Sequence, residues 1–217
     1  QVAGVEGIRR IRFTSPHPSD FSPKLIETMA AEDKVCPFIH LPLQSGSDSV
    51  LKDMQRSYDS GHFLTLVDDL RSAIPNLSLS TDIIVGFPGE TRTDFDQTLD
   101  VMRKVKFDSA FMFKYSTREG TVADREIPET VTEAEKGERL SELIDLQNQI
   151  SLEMNQAYLG RTVEVLVEGP AKREGQMSGK TDTFKTIVFT GAAEPNAFVK
   201  VRILNCTQKT LIGEVVG

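Results

Sequence analysis

Ser80-Thr81-Asp82-Ile83-Ile84-Val85-Gly86-Phe87-Pro88-Gly89-Glu90-Thr91 reads as a strand that runs into a glycine turn and opens a helix. Ile83 to Val85 is a short apolar, β-branched run, the pattern of a strand buried on both faces. Gly86, Pro88 and Gly89 stop it, and glycine there lets the backbone turn with positive φ or pass close to a ligand. Thr91 stands three residues before Asp94, a capping-box spacing ahead of the amphipathic run Phe95, Leu99, Met102 and Val105. In α/β folds such a strand–turn–helix lies at the carboxyl end of the sheet, where ligands bind. Gly86–Glu90 is therefore either a ligand-facing turn or a plain glycine-rich connection.

Working outward, the same alternation repeats. Ile8 to Phe13 alternates apolar and basic residues as a half-buried strand, ended by Ser15-Pro16-His17-Pro18. His17 is either a site residue or a turn residue. Ser22-Pro23 starts a helix with proline at its first position. Phe38 to Leu43 is a second strand, leading into Gln44-Ser45-Gly46-Ser47-Asp48. Either Ser47 or Asp48 simply caps the helix carrying Val50, Leu51 and Met54, or, since the polar cluster is richer than capping requires, the segment meets a ribose or a carboxylate, which is the favoured reading. His40, inside that strand, reads as a barrel-lining residue, since no second histidine or cysteine stands at ligand spacing. A helix spans about His62 to Ala73. Asp108 to Ser116 is the strand after the central one; it ends in Thr117-Arg118-Glu119-Gly120-Thr121, where Arg118 is placed either to meet an anionic group or as a solvated arginine. Four strands alternating with helices suit right-handed parallel crossovers but are too few to close an eight-fold barrel.

Thr132 to Tyr158 reads as one long charged helix with an apolar stripe at Leu140, Leu143, Ile144, Ile150 and Met154, a connector packed on the first domain. After Gly160 the texture changes. Thr162–Pro170, Thr186–Thr190, Phe198–Leu204 and Leu211–Val216 are short strands between glycine-rich turns, which predicts a small antiparallel OB-like barrel. Of the net charge of −7, residues 159–217 contribute +2 (eight Lys/Arg, six Asp/Glu) and residues 1–158 contribute −9 (17 and 26). The second segment is the better candidate to touch a polyanion, with Lys172, Arg173, Lys180, Phe184 and Lys185 in its connections, unless these are ordinary solvated loops. Cys36 and Cys206 are the only cysteines in 217 residues, which suits a reducing, cytoplasmic compartment and rules out a cysteine-only cluster site within this chain. No apolar run reaches the ~18 residues of a membrane span, and no signal peptide is visible.

The runs Ile11–Pro18, His40–Asp48, Asp82–Thr91 and Ser116–Thr121, in that order, resemble the radical-SAM methylthiotransferases. Within that family, Arg12-Phe13-Thr14-Ser15-Pro16-His17-Pro18 points to the tRNA branch, and the segment from Gly160 onward is similar to the TRAM domain. The resemblance implies an α/β fold: residues 1–158 as the last four strand–helix units of a partial TIM-like radical-SAM barrel, residues 159–217 as an RNA-binding TRAM barrel. It implies that Gln44, Ser45, Gly46 and Ser47 meet the ribose or methionyl end of S-adenosyl-L-methionine (SAM). Gly86, Phe87, Pro88, Gly89 and Glu90 would run along the adenosine, and Tyr115, Ser116 and Arg118 would line the same pocket.

The implied reaction is methylthiolation at C2 of N6-isopentenyladenosine-37 in a tRNA anticodon loop. SAM would be cleaved at one of two [4Fe–4S] clusters, and a sulfur held at the other inserted. Enzymes of this kind hold both clusters with cysteine triplets that this chain lacks. The chain is thus expected to be a carboxyl-terminal part, inactive without the amino-terminal part of the same protein. The competing readings are an RNA-binding module without catalysis and the sister branch that modifies a ribosomal-protein aspartate. Two absent barrel strands would leave an exposed edge and apolar interior, so self-association or low stability is expected.

Overall fold

The structure is a computed structural model that describes residues 1–13 and 17–216. Its first half runs α1 (Pro23–Ala31), β1 (Phe38–His40), α2 (Asp48–Asp53), α3 (Ser60–Ala73), β2 (Ser78–Val85), α4 (Arg92–Val105), β3 (Ser109–Lys114), α5 (Val122–Glu126) and α6 (Glu133–Gln156). The three strands form a parallel sheet in the order β1-β2-β3, with Phe38 opposite Ser78 and Ser80 opposite Ser109. Alternation along each strand divides the side chains between two faces. Ile39, Leu79 and Ile83 pack into a core with Phe63, Phe95, Leu99 and Met102 of the helices. The other face carries His40, Ser80, Asp82, Ile84, Phe111 and Phe113, and there Phe111 and Phe113 stay 58% and 53% exposed.

The run Ile8–Phe13 departs from the expected strand. Its only sheet-like pairing among the described residues is a single bridge between Ile11 and Val35. Its alternating arginines instead leave the sheet and grip the second half of the chain. Arg10 donates to the Lys180 carbonyl at 2.9 Å and Arg12 to the Thr181 carbonyl at 2.7 Å. The motif residues Thr14, Ser15 and Pro16 lie outside the described residues. His17 accepts from the Ser19 N–H at the start of a short 3-10 turn, which is the turn role.

The second half is a closed barrel of β4 (Thr162–Pro170), β5 (Gln176–Lys180), β6 (Thr186–Thr190), β7 (Phe198–Cys206) and β8 (Leu211–Val215), ordered β4-β5-β6-β8-β7. Two features correct the sequence reading. Strand β5, Gln-Met-Ser-Gly-Lys, has neither β-branched nor aromatic residues and so reads as a connection; its place is set by pairing to β4 and β6. The barrel is also not wholly antiparallel, because β6 and β8 run parallel.

The barrel docks on the amino ends of the sheet strands. Lys185 pairs with Asp108, just before β3, at 2.6 Å, with the two side chains only 9% and 7% exposed. The Phe184 ring lies 4.8 Å from that of Phe38, and Asn155 of α6 donates to the Thr207 carbonyl.

At the opposite, carboxyl end, α4 opens with the capping box expected from its spacing: Thr91 accepts from the Asp94 N–H, and Asp94 accepts from the Thr91 N–H. Ser47 and Ser49 also donate to Asp94, at 2.6 and 2.7 Å, so one carboxylate ties α2 to α4. Burial pulls the Asp94 carboxyl up, but the bonds from Ser47, Thr91 and Ser49 outweigh it and hold the group down at about 2.

Two outcomes are expected. The folded pKa of Asp94 lies below the ordinary 3.8, so its contribution is full above about pH 4 and is lost as pH falls towards 2. Thermal melts of Asp94→Asn should show lower stability at neutral pH, by roughly 1–2 kcal/mol, and a flatter decline between pH 4 and 2. Lys185→Ala leaves the Asp108 carboxylate buried without its cation. It should cost about 3–5 kcal/mol in urea unfolding, with barrel and sheet melting in separate steps. A single transition at the wild-type midpoint would show that the junction contributes nothing.

Candidate ligand cavity at the strand ends

The cavity is built from three chain crossings at the carboxyl edge of the sheet. Past β1, Gln44 continues beside β2: its N–H donates to the Asp82 carbonyl and its carbonyl accepts from the Ile84 N–H. It does so at φ +71°, a left-handed conformation costing a non-glycine residue about 1–2 kcal/mol. Its side chain lines the cavity. The next three residues turn the other way. The Gly46 N–H donates to Thr98 Oγ1 at 2.9 Å, Ser45 Oγ lies 3.3 Å from the same atom, and Ser47 Oγ donates to Asp94. Their polar groups are spent on α4, behind the cavity wall, and a Cβ on Gly46 would strike the Thr98 backbone.

The second crossing is the Gly86–Glu90 turn. Gly86 takes φ +72°, and a side chain there would collide with Lys136 of α6. Glu90 is buried; its Oε2 accepts from the Gly86 N–H and from Arg139, both at 2.7 Å, while Oε1 has no partner among the described residues. Burial pushes the Glu90 carboxyl up against the opposing pull of the Gly86 N–H and Arg139. Glu90 therefore fixes the turn. Phe87 is the turn residue that lines the cavity, its ring 5.1 Å from Tyr115 and edge-on at 73°.

The third crossing follows β3. Tyr115 is held by its N–H on the Val85 carbonyl, and Ser116 and Arg118 continue the wall. Together the crossings enclose about 630 Å³. A hollow of about 690 Å³ lies behind Tyr115 and Ser116, but its cations are already paired, Lys136 with Glu129 and Glu133 and Lys114 with Glu133.

Among the cavity residues not singled out from the sequence are Arg56, Asp82 and Phe113. Asp82 and Phe113 follow from strand alternation once the register is known. Arg56 has no such signal. It is set by the end of α2, where the Gln55 N–H donates to the Lys52 carbonyl and the Arg56 N–H to the Leu51 carbonyl, with Gln55 at φ +56°. That is a Schellman cap with glutamine where glycine is usual. Tyr58 OH donates to the carbonyls of Pro42 and Leu43 and pins the loop; burial pushes its pKa up to about 12. His40 lines the same sheet face, bonded to Ser80 at 2.9 Å and to Asp82 at 3.2 Å.

The donor set fits SAM. Phe87, Phe113 and Tyr115 offer faces for a purine, Gln44 and Ser116 offer polar groups for ribose hydroxyls, and Asp82 faces the same space with arginines beside it. The residues do not fit an iron–sulfur cluster. Cys36 is buried and its thiol pushed up by that burial, Cys206 lies on the barrel, and no three His, Cys, Asp or Glu come together among the described residues.

Of the five barrel residues read as RNA-facing, three lie at the junction. Lys185 is paired with Asp108, Phe184 stacks on Phe38, and Lys180 donates to Thr186 Oγ1; all three line a cleft of about 620 Å³ at the amino ends of the strands. Lys172 and Arg173 belong to the β4–β5 connection. No helix among the described residues is long and apolar enough to cross a membrane.

Comparison with known proteins agrees with this architecture. Residues 2–102 match the Radical SAM superfamily and residues 156–216 match the TRAM domain. The chain is 49% identical, over its full length, to the tRNA-2-methylthio-N(6)-dimethylallyladenosine synthase of Moorella thermoacetica, and 47% identical over 98% of its length to that of Alkaliphilus oremlandii. It spans 49% and 45% of those proteins, about half the length of the curated relatives it matches. Among solved structures, coproporphyrinogen III oxidase from Escherichia coli, a radical SAM enzyme, superposes with a TM-score of 0.53 at 14% identity, over 77% of this chain and 45% of that one. A three-stranded parallel sheet with its cavity at the carboxyl ends, followed by a closed five-stranded barrel, thus carries a sequence 47–49% identical to these synthases, with a Radical SAM match over the sheet half and a TRAM match over the barrel.

Proposed function

We propose that this chain is the SAM-binding half-barrel and RNA-anchoring barrel of a cytoplasmic tRNA methylthiotransferase that acts on C2 of N6-isopentenyladenosine-37 in the anticodon loop. Residues 1–158 form the first unit and residues 159–217 the second. The observation that carries the reading is the cavity itself: aromatic faces, ribose-compatible amide and hydroxyl groups and two arginines converge at the strand ends of a chain whose relatives bear that name. When bound, SAM supplies a 5′-deoxyadenosyl radical and a methyl group.

The chain's own residues bind and orient. Phe87 and Tyr115, set edge to face, hold the adenine; the Gln44 amide takes ribose hydroxyls; Glu90 and Arg139 keep the turn from moving. Ser45, Gly46 and Ser47 act indirectly, by locking the Gln44 crossing to α4. The two [4Fe–4S] clusters of such an enzyme would be held by residues outside this chain. A module that binds RNA without catalysis is favoured by one observation, the lack of a cysteine set here.

Calorimetric titration of the chain with SAM separates the two. Binding is expected, weakened about tenfold or more by Tyr115→Ala, which removes a stacking face worth roughly 1–3 kcal/mol, and about fivefold by Gln44→Ala, which removes one hydrogen bond of about 1 kcal/mol. A folded chain that binds tRNA but shows no heat with SAM would establish the RNA-binding module.

A further inference from the structure

Residues 1–158 contain ten arginines, and seven are engaged. Arg9, Arg92, Arg103 and Arg139 bind carboxylates, and Arg10, Arg12 and Arg71 bind carbonyl oxygens. Arg56, Arg118 and Arg125 are left without a side-chain partner among the described residues, and two of these three, Arg56 and Arg118, line the cavity. Both are held by their backbones. Arg56 is delivered by the Schellman cap, at the cost of a left-handed Gln55. Arg118 has its carbonyl bonded by both the N–H and the Oγ1 of Thr121. Arg56 Nε is buried with no hydrogen-bond partner among the described residues.

Two guanidiniums without an ion pair among the described residues stand at one opening, where the amino-acid end of SAM offers a single carboxylate. Asp53 and Asp82 line the same cavity, but neither comes within ion-pair distance of them: Asp82 is bonded to His40, and Asp53 makes no ion pair among the described residues. A segment of net charge −9 also repels RNA everywhere except where its cations are free. The planar fork of arginine matches a phosphate bidentately.

We propose that Arg56 and Arg118 form a phosphate-binding pair at the mouth of the cavity and grip the RNA backbone beside the base delivered to it. The inference rests on the reading above, that the cavity serves an RNA-modifying site. The left-handed Gln55 cap sets the position of Arg56.

The test measures binding of a synthetic RNA stem-loop, with one unpaired N6-isopentenyladenosine, to the whole 217-residue chain across a salt series. SAM titration runs alongside. Arg56→Gln and Arg118→Gln should each weaken RNA binding about tenfold at low salt and reduce the slope of log K against log salt by about 0.7. Because both arginines line the SAM cavity, SAM affinity should fall by less than RNA affinity in each variant. Arg56→Lys should keep the slope, and Arg125→Gln, whose arginine is not part of the cavity lining, should keep both slope and affinity. Unchanged slopes in both cavity variants overturn the proposal, as does an equal change in Arg125→Gln. So does a loss of SAM affinity with the RNA slope intact, which would assign Arg56 to the SAM carboxylate. A wild-type chain that binds no RNA also overturns it. One that binds RNA with the expected slope changes but no SAM sinks the SAM reading alone.

Discussion

The hydrogen bonds made by buried polar side chains of α6 hold the cavity and the barrel in one register. Near its start, Arg139 reaches Glu90 and so closes the Gly86 turn. In its middle, Gln147 donates to the Phe107 carbonyl at 2.9 Å and Ser151 to the Asp108 carbonyl at 3.1 Å, which fixes the amino end of β3. At its end, Asn155 donates to Thr207 and Gln208 of the barrel. The Gln147 bond serves the carbonyl of fully buried Phe107, and a buried carbonyl left without a partner costs about 1–3 kcal/mol. The helix therefore does more than cover the sheet. It also sets where the strand ends stand relative to the barrel.

That constraint explains why the cavity turn is stiff. Gly86 cannot carry a side chain because α6 brings Lys136 against it, and Lys136 is itself held by Glu129 and Glu133. Glu90 is clamped from the other side. Phe87, between these fixed points, is presented to Tyr115 at an edge-to-face angle that neither residue has to reorganise to reach. Preorganisation of this kind lowers the ordering cost of binding.

The parts of this arrangement that the sequence showed are those governed by local rules. The strand–turn–helix at Ser80–Thr91, the Thr91–Asp94 cap and the change of texture after Gly160 each depend on spacing alone, and all three stand in the structure. What stayed hidden depends on neighbours far along the chain. Ile8–Phe13 has strand periodicity, but its arginines find carbonyls on the barrel some 170 residues away. Along α6, Ile144 of the expected apolar stripe is 36% exposed, while Lys136, Arg139, Gln147 and Asn155 are buried, because partners on other elements satisfy them. Lys180, Phe184 and Lys185 looked free because their composition is that of a basic loop; Asp108 and Phe38, which occupy Lys185 and Phe184, are not sequence neighbours. Arg56 was invisible since its placement follows from a glutamine in a glycine conformation.

The placement of the barrel bears on how an RNA could be held. Lys136 lies beside the cavity turn and Asn155 beside the barrel, nineteen residues apart on one helix, which is about 28 Å at 1.5 Å per residue. The barrel therefore meets the sheet at the end opposite the cavity, and Lys180 and Lys185 at the junction are already taken. An RNA anchored on the barrel surface would have its modified base tens of ångströms from that anchor, attached through a flexible loop. Anchoring at that distance alone fixes the loop poorly, since a single remote contact leaves rotation and bending free. A second grip near the reacting base removes that freedom, and unpaired arginines on the described part of the sheet half line the cavity where such a grip would be needed.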